Sequence, residues 1–98
     1  MDLSIIIITY NSRQHITPLL NSIKKSSDCL KKEVVVVDNA SQDDSADLAS
    51  KHPLKPKVIR SKTNQGFSKA VNQAIKASSG QYFSAFLLRH YQRTHQNK

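Results

Sequence analysis

Residues 3–11 read LSIIIITYN and residues 33–39 read EVVVVDN. Each stretch is a run of four β-branched residues, Ile5 to Ile8 and Val34 to Val37, that ends on polar side chains. The runs are too short for helices and do not alternate with polar residues. Apolar character on both sides of a strand is the mark of a strand covered on both faces, as in a parallel sheet. Between them, Leu19, Leu20 and Ile23 fall at helical spacing. Thr17 followed by Pro18 reads as an N-cap and first helical residue, within a helical segment from about Gln14 to Lys25.

The same alternation continues. Asp43-Asp44-Ser45 opens a short helix to about Lys51, its acids favourably placed at the N-terminus. Pro53 and Pro56 bracket a loop, and Lys57–Ser61 is a third, shorter strand around Val58-Ile59. Thr63-Asn64-Gln65-Gly66 is a turn. The helix after it, about Phe67 to Ser78, has Phe67, Ala70, Val71, Ala74 and Ile75 as its buried stripe, with Ser79-Gly80 as its C-cap. A final apolar segment, Gln81 to Leu88, reads as a fourth strand, with a basic amphipathic helix through Phe83, Phe86, Leu87 and Tyr91 as the alternative. The order implies an α/β domain, Rossmann-like, with a mostly parallel sheet built from three βα units and this fourth strand.

The 98 residues suit one small domain or a piece of a larger one. No apolar run approaches the roughly 20 residues of a membrane span. Asp2 stands where a secretory leader carries basic residues, so the expected compartment is the cytoplasm. The single cysteine, Cys29, allows no internal disulfide and reads as an ordinary thiol. His90 and His95 lack a third ligand for a metal. The net charge is +8, and all seven acids lie at or before Asp47. A field of that kind attracts nucleic acid, anionic lipid or a diphosphate.

Ligands of open parallel sheets bind at the carboxyl ends of the strands. Three polar clusters fall there: Thr9-Tyr10-Asn11, Asp38-Asn39-Ala40-Ser41, and the turn Asn64-Gln65-Gly66-Phe67. A nucleoside suits them. Tyr10 offers a stacking face, Asp38 or Asn39 a hydrogen-bonding edge for the base, and Asp38 an acceptor for ribose hydroxyls. The helix start after Gly66, with Arg60, Lys62 and Lys69, offers N–H groups and charge for a diphosphate. Two glycines cannot build a G-x-G-x-x-G fingerprint or a P-loop, which excludes the common dinucleotide and ATP sites.

The blocks SIIIITYNSRQHITPLLNSI, VVVVDNASQDDSADLA and NQGFSKAVNQAIKASSGQYF resemble, in order and spacing, the opening of family 2 glycosyltransferases with the GT-A fold. VDNAS and N-x-G-F look closest to rhamnosyltransferase-like members acting on cell-envelope polysaccharides. The resemblance implies that residues 1–83 form the nucleotide-sugar-binding N-terminal region and that 84–98 form an atypical basic tail. Thr9, Tyr10 and Asn11 would line the base and ribose end. Asp38 would match the first acid of a V-D-D-G-S type motif, with Asn39 replacing the second. Asn64, Gly66, Phe67 and Asn72 would frame the diphosphate and sugar of a UDP-, dTDP- or GDP-linked donor.

Full-length relatives of this kind use Mg or Mn, held by a D-x-D or N-x-D motif on the fourth strand. Here the matching positions, near Leu87 and Arg89, carry no acid. The resemblance therefore implies donor recognition without a metal site or catalytic base in this chain, and no sugar transfer by it alone. A shift of reading frame near Phe83, or a diverged terminus, would each account for the change of character after it. The rivals are a basic nucleic-acid-binding module, which the lack of an RNP-type aromatic pair or helix-turn-helix disfavours, and a non-catalytic remnant. Peripheral membrane association and self-association through an exposed sheet edge complete the expected partners.

Overall fold

In the computed structural model, residues 3–25, 32–78 and 82–89 are described. Cys29, the Ser79-Gly80 cap, His90, Tyr91 and His95 lie outside them. The elements are β1 (Leu3–Tyr10), α1 (Arg13–Lys25), β2 (Lys32–Asp38), α2 (Ser45–Lys51), β3 (Lys57–Arg60), α3 (Phe67–Ala77) and β4 (Tyr82–Arg89). The four strands form one sheet in the order β3-β2-β1-β4, every neighbouring pair parallel. The α/β class and the fourth strand are both as the sequence indicates, and the helical alternative for the last segment falls away. β4 runs unbroken across position 83.

The isoleucine and valine runs explain the layering. Successive side chains of a strand point to opposite faces, so Ile5 and Ile7 of β1 with Val34 and Val36 of β2 pack under α1 and α2. Ile6 and Ile8 with Val35 and Val37 pack under α3. Both faces being covered, an alternating polar pattern would have left charges in the core. His52, also buried, closes the lower end of the first layer. Its Nδ1 accepts the Leu54 N–H at 3.0 Å, which leaves Nε2 as the donor to Asn21 Oδ1 at 2.7 Å.

Two expectations are corrected. Thr17 is not an N-cap: α1 begins four residues earlier, where the Ser12 carbonyl accepts the N–H groups of His15 and Ile16. Pro18 therefore sits inside the helix. The start is set by long-range bonds that fix Ser12, and by Ile16, which joins Leu20 and Ile23 in the buried stripe, while Leu19 is only half-buried. On α3 the buried stripe is just Ala70 and Ala74. Phe67 and Ile75 are 41% and 37% exposed, because they lie on the flank of the helix away from the strands beneath it.

Candidate nucleotide-binding site

β1 is central, and the chain leaves it to one side for β2 and β3, then returns through α3 to β4 on the other. A crevice opens at such a reversal, outside the carboxyl ends of the strands. The register places Thr9 beside Asp38 on one side and Leu88 on the other, and Tyr10 beside Arg89. The clusters at the ends of β1 and β2 and at the start of α3 thus meet at one end of the sheet.

Thr9 is fully buried, and its Oγ1 has no hydrogen-bond partner. Tyr10 and Asn11 are half-buried on the rim. Asn11 (φ 49°) and Ala40 (φ 67°) both hold the left-handed backbone conformation. For alanine that costs on the order of 1–2 kcal/mol, where the V-D-D-G-S motif carries glycine. Strain of this kind gathers at ligand-binding loops.

Hydrogen bonds clamp these loops together. Asp38, 4% exposed, accepts the Ser41 hydroxyl on Oδ1 (2.6 Å) and the Ser41 N–H on Oδ2 (3.0 Å). Ser41 Oγ accepts the Asn11 N–H at 2.8 Å, and Asn11 Oδ1 accepts the Gln42 N–H at 2.7 Å. Ser45 Oγ accepts the Ser12 N–H at 3.0 Å and donates to Asp43. Asp38 therefore organises the crevice floor, with both oxygens engaged before any ligand arrives. The sequence reading missed Ser12, Ser41 and Ser45 as partners. The Asp38-x-x-Ser41 and Asp43-x-Ser45 spacings, typical of side chains that bond their own turn, were the available signal.

Asp43 accepts the Arg13 N–H at 3.2 Å and the Ser45 N–H at 3.0 Å. Partial burial works to raise its pKa, but the bonds from Ser45 and Arg13 outweigh it and hold the carboxyl below its usual range. A lowered value in the folded state stabilises the fold above the ordinary aspartate value, about 3.9, and the contribution is lost as pH falls through the lowered one. Thermal melts from neutral to acid pH should show this: Asp43→Asn flattens the acid limb, and an unchanged limb would contradict the assignment. Asn11, Ser12, Arg13, Gln14, His15 and Asp43 line a cavity of about 240 Å³ on this rim.

At the third cluster, Gly66 adopts φ 85°, ψ 170° and precedes α3, whose start has no side-chain cap. Asn64 Oδ1 accepts the Gly66 N–H at 3.0 Å, and Asn39 Nδ2 donates to the Gly66 carbonyl at 3.3 Å. Asn39 is 3% exposed and its Oδ1 is buried without a partner. The amide thus ties the end of β2 to the start of α3 and leaves one acceptor facing no donor. Phe67, Lys62 and Lys69 are exposed near this start. Two expected contributors stand apart. Asn72 is exposed and more than one turn into α3, on the side away from Ala70 and Ala74. Arg60 is ion-paired to Asp47 of α2 at 2.8 Å.

Divalent metals in nucleotide-sugar sites are held by carboxylate oxygens. The carboxyl end of β4 presents Leu87, Leu88 and Arg89 beside Thr9 and Tyr10, and the nearby Asp38 already gives both oxygens to Ser41. Among the described residues no group of three or more ligating side chains comes together. The described residues do not fit a metal of that kind.

The sequence model described as Glycosyl transferase family 2 matches residues 4–86. The chain belongs to this family. It is 39% identical over 87 residues to the dolichol-phosphate mannosyltransferase of Pyrococcus furiosus, covering 85% of this chain and 24% of that protein. It is 40% identical over 86 residues to the poly(ribitol-phosphate) beta-N-acetylglucosaminyltransferase TarS of Staphylococcus aureus, covering 84% and 15%. The crystal structure of S. aureus TarS 1–349 in complex with UDP superposes with a TM-score of 0.80 at 37% identity, over 90% of this chain and 27% of that one. The Pyrobaculum calidifontis mannosyltransferase PcManGT, in complex with GDP-Man and Mn2+, gives 0.68 at 29% identity, over 79% and 24%. The chain spans about a quarter or less of the length of these relatives.

Proposed function

We propose that this chain binds a nucleoside-diphosphate sugar across the ends of β1, β2 and α3, as the donor-recognition part of a sugar-transfer machine. The observation that carries the reading is the meeting of three unsatisfied features at one end of the sheet. These are the buried Thr9 hydroxyl and Asn39 carbonyl without partners and the uncapped start of α3. Buried polar atoms without partners are rare and costly, and an uncapped helix start offers N–H groups to an anion. Tyr10 stacks on the base, Asn39 Oδ1 accepts from its edge, and Gly66, Phe67 and Asn64 shape the seat of the diphosphate with Lys62 and Lys69 beside it.

UDP is the first candidate ligand, since the TarS structure holds it, with GDP and dTDP as competitors. The donor is a hexose or a rhamnose-type deoxyhexose, and a polysaccharide or lipid-linked acceptor would receive it with inversion at the anomeric carbon. With no metal carboxylate at the end of β4, this chain alone binds without transferring, and added Mg2+ or Mn2+ does not strengthen binding. Titration of the 98-residue chain with UDP tests the reading. Saturable binding unaffected by metal supports it, whereas no saturation, or measurable sugar transfer, refutes it.

A further inference from the structure

We propose that the end of the molecule opposite the crevice is an electrostatic docking face for an anionic lipid surface. In an all-parallel α/β sheet the amino ends of the strands and the carboxyl ends of the helices share one end. Lys24 and Lys25 lie in the last turn of α1, Lys51 ends α2, and Lys76 lies in the last turn of α3. Lys55 is in the loop before β3, and Lys57 opens that strand. These six lysines come from five segments in both halves of the sequence, and all six are exposed.

Four of the five described carboxylates are at the other end. Asp38 closes β2, and Asp43, Asp44 and Asp47 gather at the start of α2, where Ser41, Ser45, Arg13 and Arg60 engage them. Among the described residues, the lysine-rich end holds one acid, Glu33, whose charge the neighbouring Lys32 offsets. Lysine at a helix carboxyl end has an ordinary explanation, since it complements the helix dipole. Each dipole supplies only about half a negative charge there. Three helices therefore offset about a quarter of six lysines.

The residue type selects the partner. Arg13, Arg60 and Arg89, whose fork geometry suits directed phosphate recognition, all lie at the crevice end. Among the described residues the opposite end uses lysine alone, a flexible point charge suited to the diffuse field of an anionic bilayer. No helix among the described residues is long and apolar enough to cross a membrane, and the contact proposed for this face is electrostatic. Docked this way, the crevice faces away from the lipid, about one strand length or roughly 25 Å from it. The inference stands apart from the nucleotide reading, because vesicle binding and UDP binding are separate measurements.

The test is co-sedimentation with mixed phosphatidylcholine–phosphatidylglycerol vesicles, against phosphatidylcholine alone, at several salt concentrations. The chain should bind only the mixed vesicles and release with salt. The combined variant Lys24→Gln, Lys51→Gln, Lys55→Gln and Lys76→Gln should lose about a hundredfold or more in partitioning, each lysine near the surface contributing about fivefold. Each single substitution should show its own few-fold share, which keeps the test open should the combined variant misfold. Lys62→Gln with Lys69→Gln, at the crevice end, should change partitioning by less than about twofold, since charges beyond a Debye length are screened. Equal losses from both sets, or equal binding to the neutral vesicles, would overturn the proposal. So would tighter binding to random duplex DNA than to mixed vesicles at the same salt, with the same dependence on the four lysines.

Discussion

Asp38→Ala should lower the melting temperature by about 10 °C and remove measurable UDP binding. The carboxylate is 4% exposed and takes both the hydroxyl and the N–H of Ser41. Deleting it leaves two donors without an acceptor. A stranded buried polar group costs about 1–3 kcal/mol, and Ser41, being half-buried, recovers part of this from water. A net loss of about 2 kcal/mol corresponds, in a domain of this size, to a fall of about 8–16 °C. The loss spreads because Ser41 Oγ also accepts the Asn11 N–H, so the β1–α1 loop loosens with the β2–α2 loop. Asp38→Asn keeps one acceptor and should fall between wild type and alanine. A circular-dichroism melt separates two roles. Were Asp38 only a ligand contact, binding would vanish while the melt stayed put.

Gly66→Ala should cost about 1–3 kcal/mol and weaken UDP binding about tenfold or more, through the backbone alone. Gly66 holds φ 85°, ψ 170°, a region essentially reserved for glycine. A Cβ there would meet no atom within 4 Å. Crowding therefore plays no part, and the penalty comes from the chirality of the added carbon. Relief of the strain would pull the Gly66 carbonyl from Asn39 and swing the start of α3. A D-alanine at the same position, introduced by chemical synthesis, adds the same methyl with the opposite hand and should keep both stability and binding. Equal damage from the two hands would show that space, not backbone conformation, matters at this site.

The strands were legible because burial on both faces leaves a mark that depends on no distant residue: four isoleucines or four valines in a row. Helix starts were less so. Thr17-Pro18 has the local chemistry of a cap, yet Ser12 starts α1 because Ser45, 33 positions on, accepts its N–H. The spacing of Phe67 and Ile75 is right for a buried stripe, but spacing cannot say how wide the sheet beneath a helix is. That Thr9, Tyr10, Asn11, Asp38, Asn39, Asn64, Gly66 and Phe67 gather at one end of the sheet was legible from their places at strand ends. What their side chains do to one another was not. Asp38, a candidate ligand contact, also braces a loop through Ser41, and Arg60, a candidate phosphate contact, pairs with Asp47. Charge shows the same limit. Along the chain the acids stop at Asp47, whereas in the fold the division runs between the two ends of the sheet.

The most direct test is the UDP titration followed residue by residue, through the backbone amide signals of the isotopically labelled chain. The account predicts saturable shifts at Tyr10, Asn11, Asn39, Ser41, Gly66 and Phe67, with Lys24, Lys25, Lys51 and Lys57 unmoved. Shifts confined to the lysine-rich end, or none at all up to millimolar UDP, would contradict it.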